Sequence, residues 1–118
     1  VTSDIRTLVD AHLDVWNSGD AGQRLTSMAK VYADDVRTTE SDASYAGHAG
    51  VNEAIAGLHG ALPGMTLTLN GPIQQAQDLV TYQWSLGTPT EGIVAATGRD
   101  VLLVQNGLIT ALYVVIDA

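Results

Sequence analysis

At Pro63-Gly64 the hydrophobic pattern of this 118-residue chain changes its period. Before that point apolar residues recur at helical spacing, and after it they alternate. A helical period buries a stripe and a strand period buries a face. The chain is therefore committed to helices first and a run of strands afterwards, which is the order of an α+β fold. Its length suits one domain over residues 1–118, with room for a core and a pocket.

Three helices are expected before the switch. Over 3–18, Ile5, Leu8, Val9, His12, Leu13 and Trp16 share one face, with Thr2 or Ser3 as cap and Asp4 at the positive end. Asn17-Ser18-Gly19-Asp20 ends that helix and caps the next, read over 21–33 with Leu25, Met28, Ala29 and Tyr32 inward. Asp34-Asp35 closes it, and a strand follows over 36–40. Ser41 to Gly47 reads as a polar loop, and a third helix runs from Ala49 to Leu58, burying Val51, Ile55 and Leu58.

After the switch, Met65, Leu67 and Leu69 alternate with Thr66 and Thr68, and Asn70-Gly71-Pro72 is a turn. Ile73 to Gln77 is a weak, polar edge strand. Leu79 to Leu86 places Val80, Tyr82, Trp84 and Leu86 on one face. Gly87 to Gly92 turns into a long strand over Ile93 to Val104. Asn106-Gly107 is a tight hairpin turn before the last strand, Leu108 to Ile116. Helices packed on a curved antiparallel sheet of this kind make a cone with an internal pocket.

Composition narrows the function. The net charge is −8, with Lys30 the only lysine, which argues against nucleic acid and anionic membranes as partners. The absence of cysteine excludes disulfides and thiolate metal sites. His48 and His59, at the ends of the third helix, read as solvated, and no third ligand stands at a metal-binding spacing. No cofactor is expected. VTSDIRTL lacks the pattern of a signal peptide and no apolar run reaches membrane length, so the cytoplasm is the expected compartment.

One placement stands out. Glu40 ends the run Val36-Arg37-Thr38-Thr39, and Asp100 starts the alternation Asp100, Leu102, Val104. Each carboxylate has two readings. Glu40 points either to water or into a cavity, and Asp100 either pairs with Arg99 or Arg37 or faces the same cavity.

The residues VYADDVRTTES at 31–41, Ser18-Gly19-Asp20, Gly47-His48-Ala49-Gly50-Val51, LNGPI at 69–73 and GRDVLLVQNGLIT at 98–110 resemble the NTF2-like or SnoaL-like cone. Within it the chain is most similar to the bacterial Δ5-3-ketosteroid isomerases. The resemblance implies that Glu40 takes the position of the proton-shuttling carboxylate. It implies that Asp100 takes that of a protonated aspartic acid in the oxyanion hole. Tyr32 matches a tyrosine of the supporting network, and His12 replaces the tyrosine that donates to the enolate. Glu for Asp at 40 and Ile55 for a network tyrosine are further departures. Trp16, Tyr32, Val51, Ile55 and Trp84 are the expected walls. The resemblance also implies a homodimer through the outer sheet face, where strands apolar on both sides want a partner.

Three function classes follow. The first is carboxylate-base proton transfer on an apolar carbonyl compound, steroid- or polyketide-like. The second is epoxide hydrolysis or cyclisation of a polyketide-like substrate. Relatives of that kind take a carboxylate from the last strands, where Leu112, Val114 and Ile116 are aliphatic here. The third is a non-catalytic small-ligand binder.

Overall fold

The computed structural model describes residues 2–117, with side chains from residue 5 onward, so the cap assigned to Thr2, Ser3 and Asp4 lies outside the described side chains. Three helices, α1 (Thr2–Asn17), α2 (Ala21–Met28) and α3 (Gly47–Ala61), pack on one face of a curved sheet. Its strands are β1 (Tyr32–Thr39), β2 (Ser44–Ala46), β3 (Thr66–Leu69), β4 (Gln74–Ala76), β5 (Leu79–Thr88), β6 (Ile93–Gln105) and β7 (Leu108–Ile116). They run in the order β2-β1-β7-β6-β5-β3, with β4 also on β5. Among the described residues no helix is long and apolar enough to cross a membrane.

After the switch β5, β6 and β7 form an antiparallel meander, and β3 and β4 both pair antiparallel with β5. Asn106 and Gly107 both take positive φ, 54° and 79°, which is the conformation a two-residue hairpin with right-handed twist needs. One junction departs from the antiparallel expectation: β1 lies parallel to β7, pairing Thr38 with Leu112 and Thr39 with Tyr113. Side-chain alternation is the same in parallel and antiparallel strands, so the pattern carries no sign of direction. β2 supplies a further pair on β1 where a loop was expected.

The second helix is shorter than its periodicity suggests. It is capped by Asp20, whose side chain accepts from Gln23 N at 3.0 Å, and stops at Met28. The chain then turns and enters β1 at Tyr32. Helix α2 also turns a different face inward. Met28 is buried as expected, but Leu25, also expected in the core, is 46% exposed, and Arg24 is buried instead. Arg24 is satisfied there by Asn52 Oδ1 at 2.6 Å and the Ser18 carbonyl at 2.7 Å, so its guanidinium ties the α1–α2 loop to α3. Of the other residues expected to face inward, Leu8, Leu13, Val51 and Leu67 are buried, and Ile5 and Leu58 are half-buried.

Gly87 helps to shape the sheet. The β5–β6 register shifts between Leu86 and Gly87, and a Cβ at 87 would run into the backbone of Ile93 and Val94. A bulge of this kind bends a strand and strengthens its twist. Gly87→Ala is expected to lower stability by about 1–3 kcal/mol, since neighbouring backbone cannot yield cheaply. A urea midpoint equal to that of the wild type would show that the corner tolerates the methyl group.

Candidate functional site

The inward row of β1 is Val36, Thr38 and then Glu40, one residue past the strand end. This resolves the two readings of Glu40: its half-buried side chain lines a cavity between the sheet and the helices. Extending the β1–β7 register by one residue sets Glu40 beside Val114, and Val114 pairs with Asp100 on β6. Two strand spacings separate the carboxyl-bearing backbones, about 10 Å. Both side chains reach the same concave face.

The cavity measures about 120 Å³. Helix α1 contributes Trp16 to its wall, α3 Leu58, and the residue after α3 Leu62. The sheet contributes Leu67, Trp84, Leu86, Ala96, Val114 and Ile116. Among the described lining residues Glu40 and Asp100 are the only ionisable groups. Tyr32, Val51 and Ile55, expected as walls, are fully buried in the core and do not line it. An apolar helix face marks burial, and it does not separate residues that face a cavity from residues packed behind one.

Asp100 is held by two donors. Tyr82 Oη donates to its Oδ2 at 2.6 Å, and His12 Nε2 lies 3.1 Å from the same oxygen. Neither arginine competes: Arg99 donates to Thr81 Oγ1 and Arg37 to Ser44 Oγ. His12 is itself buried and does not line the cavity, so it supports Asp100 from behind rather than facing a ligand. Its Nδ1 lies 2.6 Å from Tyr32 Oη, which also accepts from Trp16 Nε1 at 3.1 Å. The imidazole stands edge-on to both rings, at interplanar angles of 61° to Trp16 and 81° to Tyr32.

Counting protons fixes the direction of every bond in this chain. Trp16 can only donate, so Tyr32 Oη accepts from it and has one proton to give. The acceptor within reach is His12 Nδ1, which must then be unprotonated. His12 is therefore the neutral Nε2–H tautomer, and it donates to Asp100 Oδ2. A doubly protonated imidazole would strand the Tyr32 proton in a fully buried position, at the cost of a lost hydrogen bond. Burial pushes both Tyr32 and Tyr82 above the ordinary tyrosine range, which keeps them as donors. With Oδ2 taken up twice, Oδ1 is the atom Asp100 offers to the cavity.

Tyr82 is the member of this group that sequence reasoning passed over as a functional residue. The signal was present: Tyr82 is inward in the alternation Val80, Tyr82, Trp84, and the antiparallel ladder sets it directly opposite Asp100. His48 and His59 are not solvated as expected. Their Nε2 atoms donate to the backbone carbonyls of Tyr32 at 3.0 Å and Trp16 at 2.7 Å, pinning α3 to β1 and α1. Among the described residues no group of three metal-ligating side chains converges.

Together the elements form an α+β cone around a small apolar cavity that two carboxyls line. The chain belongs to the SnoaL-like domain family, whose pattern residues 9–112 match. No curated protein matches the sequence. Among solved structures, a proposed isomerase of the SnoaL-like family from Agrobacterium tumefaciens superposes with a TM-score of 0.88 at 22% identity, covering 98% of this chain and 99% of its own. A proposed ketosteroid isomerase from Kribbella flavida gives 0.71 at 18% identity, over 98% of this chain and 79% of its own. A proposed polyketide cyclase from Sinorhizobium meliloti gives 0.72 at 13% identity, over 92% and 93%. At these identities the likeness establishes the NTF2-like cone alone.

The carboxyl of Glu40 is raised above its ordinary value, by burial first and by the negative charge of Asp42 second. The folded chain thus holds this proton more tightly than the unfolded chain does. Stability falls as pH rises from the ordinary glutamate range through the raised value, and the cost persists at neutral pH. Glu40→Gln removes it. The variant is expected to melt higher than the wild type at neutral pH, with the gain shrinking toward about pH 4. A gain that is absent at neutral pH, or equal at both ends, would contradict the shift.

Proposed function

We propose that this protein is a small-molecule enzyme that moves a proton on an apolar carbonyl substrate. The observation that carries this reading is the pairing of Glu40 with Asp100 as the two ionisable groups of an otherwise apolar cavity. Proton transfer beside a carbonyl needs a base near carbon and a donor at the oxygen where charge develops. In the proposed cycle Glu40 takes the proton from the carbon next to the carbonyl. The C–H electron pair moves into the carbonyl, and the resulting enolate oxygen accepts a hydrogen bond from a proton on Asp100 Oδ1. Glu40 then returns its proton to a second carbon of the conjugated system, so nothing is consumed.

The raised pKa of Glu40 suits a base, because proton transfer is most effective when the pKa approaches the working pH. His12 and Tyr82 act as positioning residues, holding Oδ2 so that Oδ1 faces the ligand. The apolar wall strengthens these interactions by excluding water.

Glu40→Gln is expected to lower substrate-carbon proton exchange by a factor of roughly 10² or more, with ligand binding nearly unchanged. Asp100→Asn, which keeps a donor, is expected to lose less activity than Asp100→Ala. NMR-detected deuterium exchange on a panel of enones measures both, and full activity in either glutamine or alanine variant would return the pair to a structural role. The same carboxyls support a second reading, epoxide opening or cyclisation, favoured by the polyketide cyclase likeness. There Asp100 must deliver a proton, and Asn would be as inactive as Ala. A non-catalytic ligand binder is the third reading, and ligand binding without any turnover would favour it.

We further propose a homodimer through the outer face of the sheet. Tyr113 and Val115 on β7 are exposed there, paired across the ladder with Val101 and Arg99 on β6. An apolar strip on the uncovered face of a sheet favours a partner. Sedimentation at micromolar concentration is expected to give the dimer mass, and a monomer would remove the proposal.

A further inference from the structure

One pair of residues limits how much of the cone is open to a ligand. Trp84 on β5 faces Gly98 on β6 across the antiparallel ladder. A Cβ at 98 would clash with Cζ2 and Cη2 of the Trp84 ring and with the Val115 carbonyl. The six-membered ring of the indole therefore lies over Gly98, in the space a side chain would take. Trp84 is only 4% exposed, and its Nε1 has no acceptor among the described residues. The ring is held by packing against the glycine, not by a hydrogen bond.

What remains beside it is about 120 Å³. Two reference sizes give that figure meaning. An apolar protein cavity of ~150 Å³ accepts benzene. Sites for drug-sized ligands run to roughly 300–1,000 Å³. The space beside Glu40 and Asp100 is of the first kind.

We infer that the cavity takes one six-membered ring bearing a carbonyl, a monocyclic ketone or enone, and that Trp84 packed on Gly98 sets this limit. A fused multi-ring compound does not fit in the enclosed part. The inference rests on the cavity being the ligand site of the function proposed above, but it concerns size and not chemistry. Trp84 is a specificity-determining wall, and it takes no part in proton transfer.

The test uses cyclohex-2-enone, 1-tetralone and a four-ring steroid enone as probes, with binding read from calorimetry and from the shifts of the tryptophan indole N–H signals. Apolar area alone would make the larger ketones bind more tightly, so a preference for the smallest is diagnostic. The wild-type chain is expected to bind the one-ring ketone at least about tenfold more tightly than 1-tetralone, and Trp84→Leu to reverse that order. Equal or tighter binding of a multi-ring ketone to the wild type, or no binding of any of them, overturns the inference. Should Trp84→Leu fail to fold, Ala96→Leu serves instead. It fills the cavity from β6 and is expected to weaken the one-ring ketone about tenfold, and unchanged affinity overturns the inference. Deuterium exchange at carbon is scored separately. One-ring selectivity without exchange sustains the size limit while removing the proton-transfer reading.

Discussion

The two hydrogen bonds at Asp100 Oδ2 are what allow a carboxyl to stand in the apolar interior of this cone. A buried carboxyl without partners costs several kcal/mol, and the penalty is avoided only when donors are fixed in place. Here one donor comes from the sheet, Tyr82, and the other from a helix, His12. His12 is fixed in turn by Tyr32 on β1, and Tyr32 by Trp16 on α1. A single polar chain therefore joins α1, β1, β5 and β6. The helix is positioned on the sheet by directional bonds as well as by apolar contact, and each bond has one possible donor.

That arrangement leaves the two carboxyls unequal. Asp100 is gripped at one oxygen and presents the other, while Glu40 stands at a strand end beside a turn, with its backbone N–H bonded to the Ala43 carbonyl at 2.8 Å. In the proposed cycle the base must reach two carbons in succession and the donor is aimed at one oxygen, and a carboxyl past a strand end and one held at Oδ2 suit those two roles.

Much of this was legible from spacing. The helix-to-strand switch, the inward row Val80, Tyr82, Trp84, Leu86 and the Asn106-Gly107 turn each depend on local chemistry that a short window of sequence contains. Helix α2 was not legible in the same way. It has only eight residues, too few to fix the phase of its buried face, so Leu25 and the buried Arg24 exchanged roles. The parallel run of β1 beside β7 was hidden because alternation is blind to direction. Glu40 and Asp100 were singled out by resemblance while spacing left each with two readings, and both line the cavity. His12 lay on the apolar face as spacing required, yet its partners come from strands distant in sequence, so its place behind Asp100 could not be read. For the same reason Tyr32, Val51 and Ile55 stood out as buried without revealing that they pack in the core instead of lining the cavity.

The parallel joint between β1 and β7 has a bearing on how the site comes into being. β5, β6 and β7 are linked by short connections and can assemble locally, whereas β1 meets β7 only when residues from opposite ends of the chain find each other. Asp100, Trp84 and Tyr82 belong to the early unit, and Glu40 arrives with the late one. Detachment of that edge would leave the cavity with Asp100 in place and Glu40 withdrawn. Hydrogen exchange is expected to be slower in that meander than at the β1–β2 edge, so that the carboxyl pair is complete only when this edge is docked.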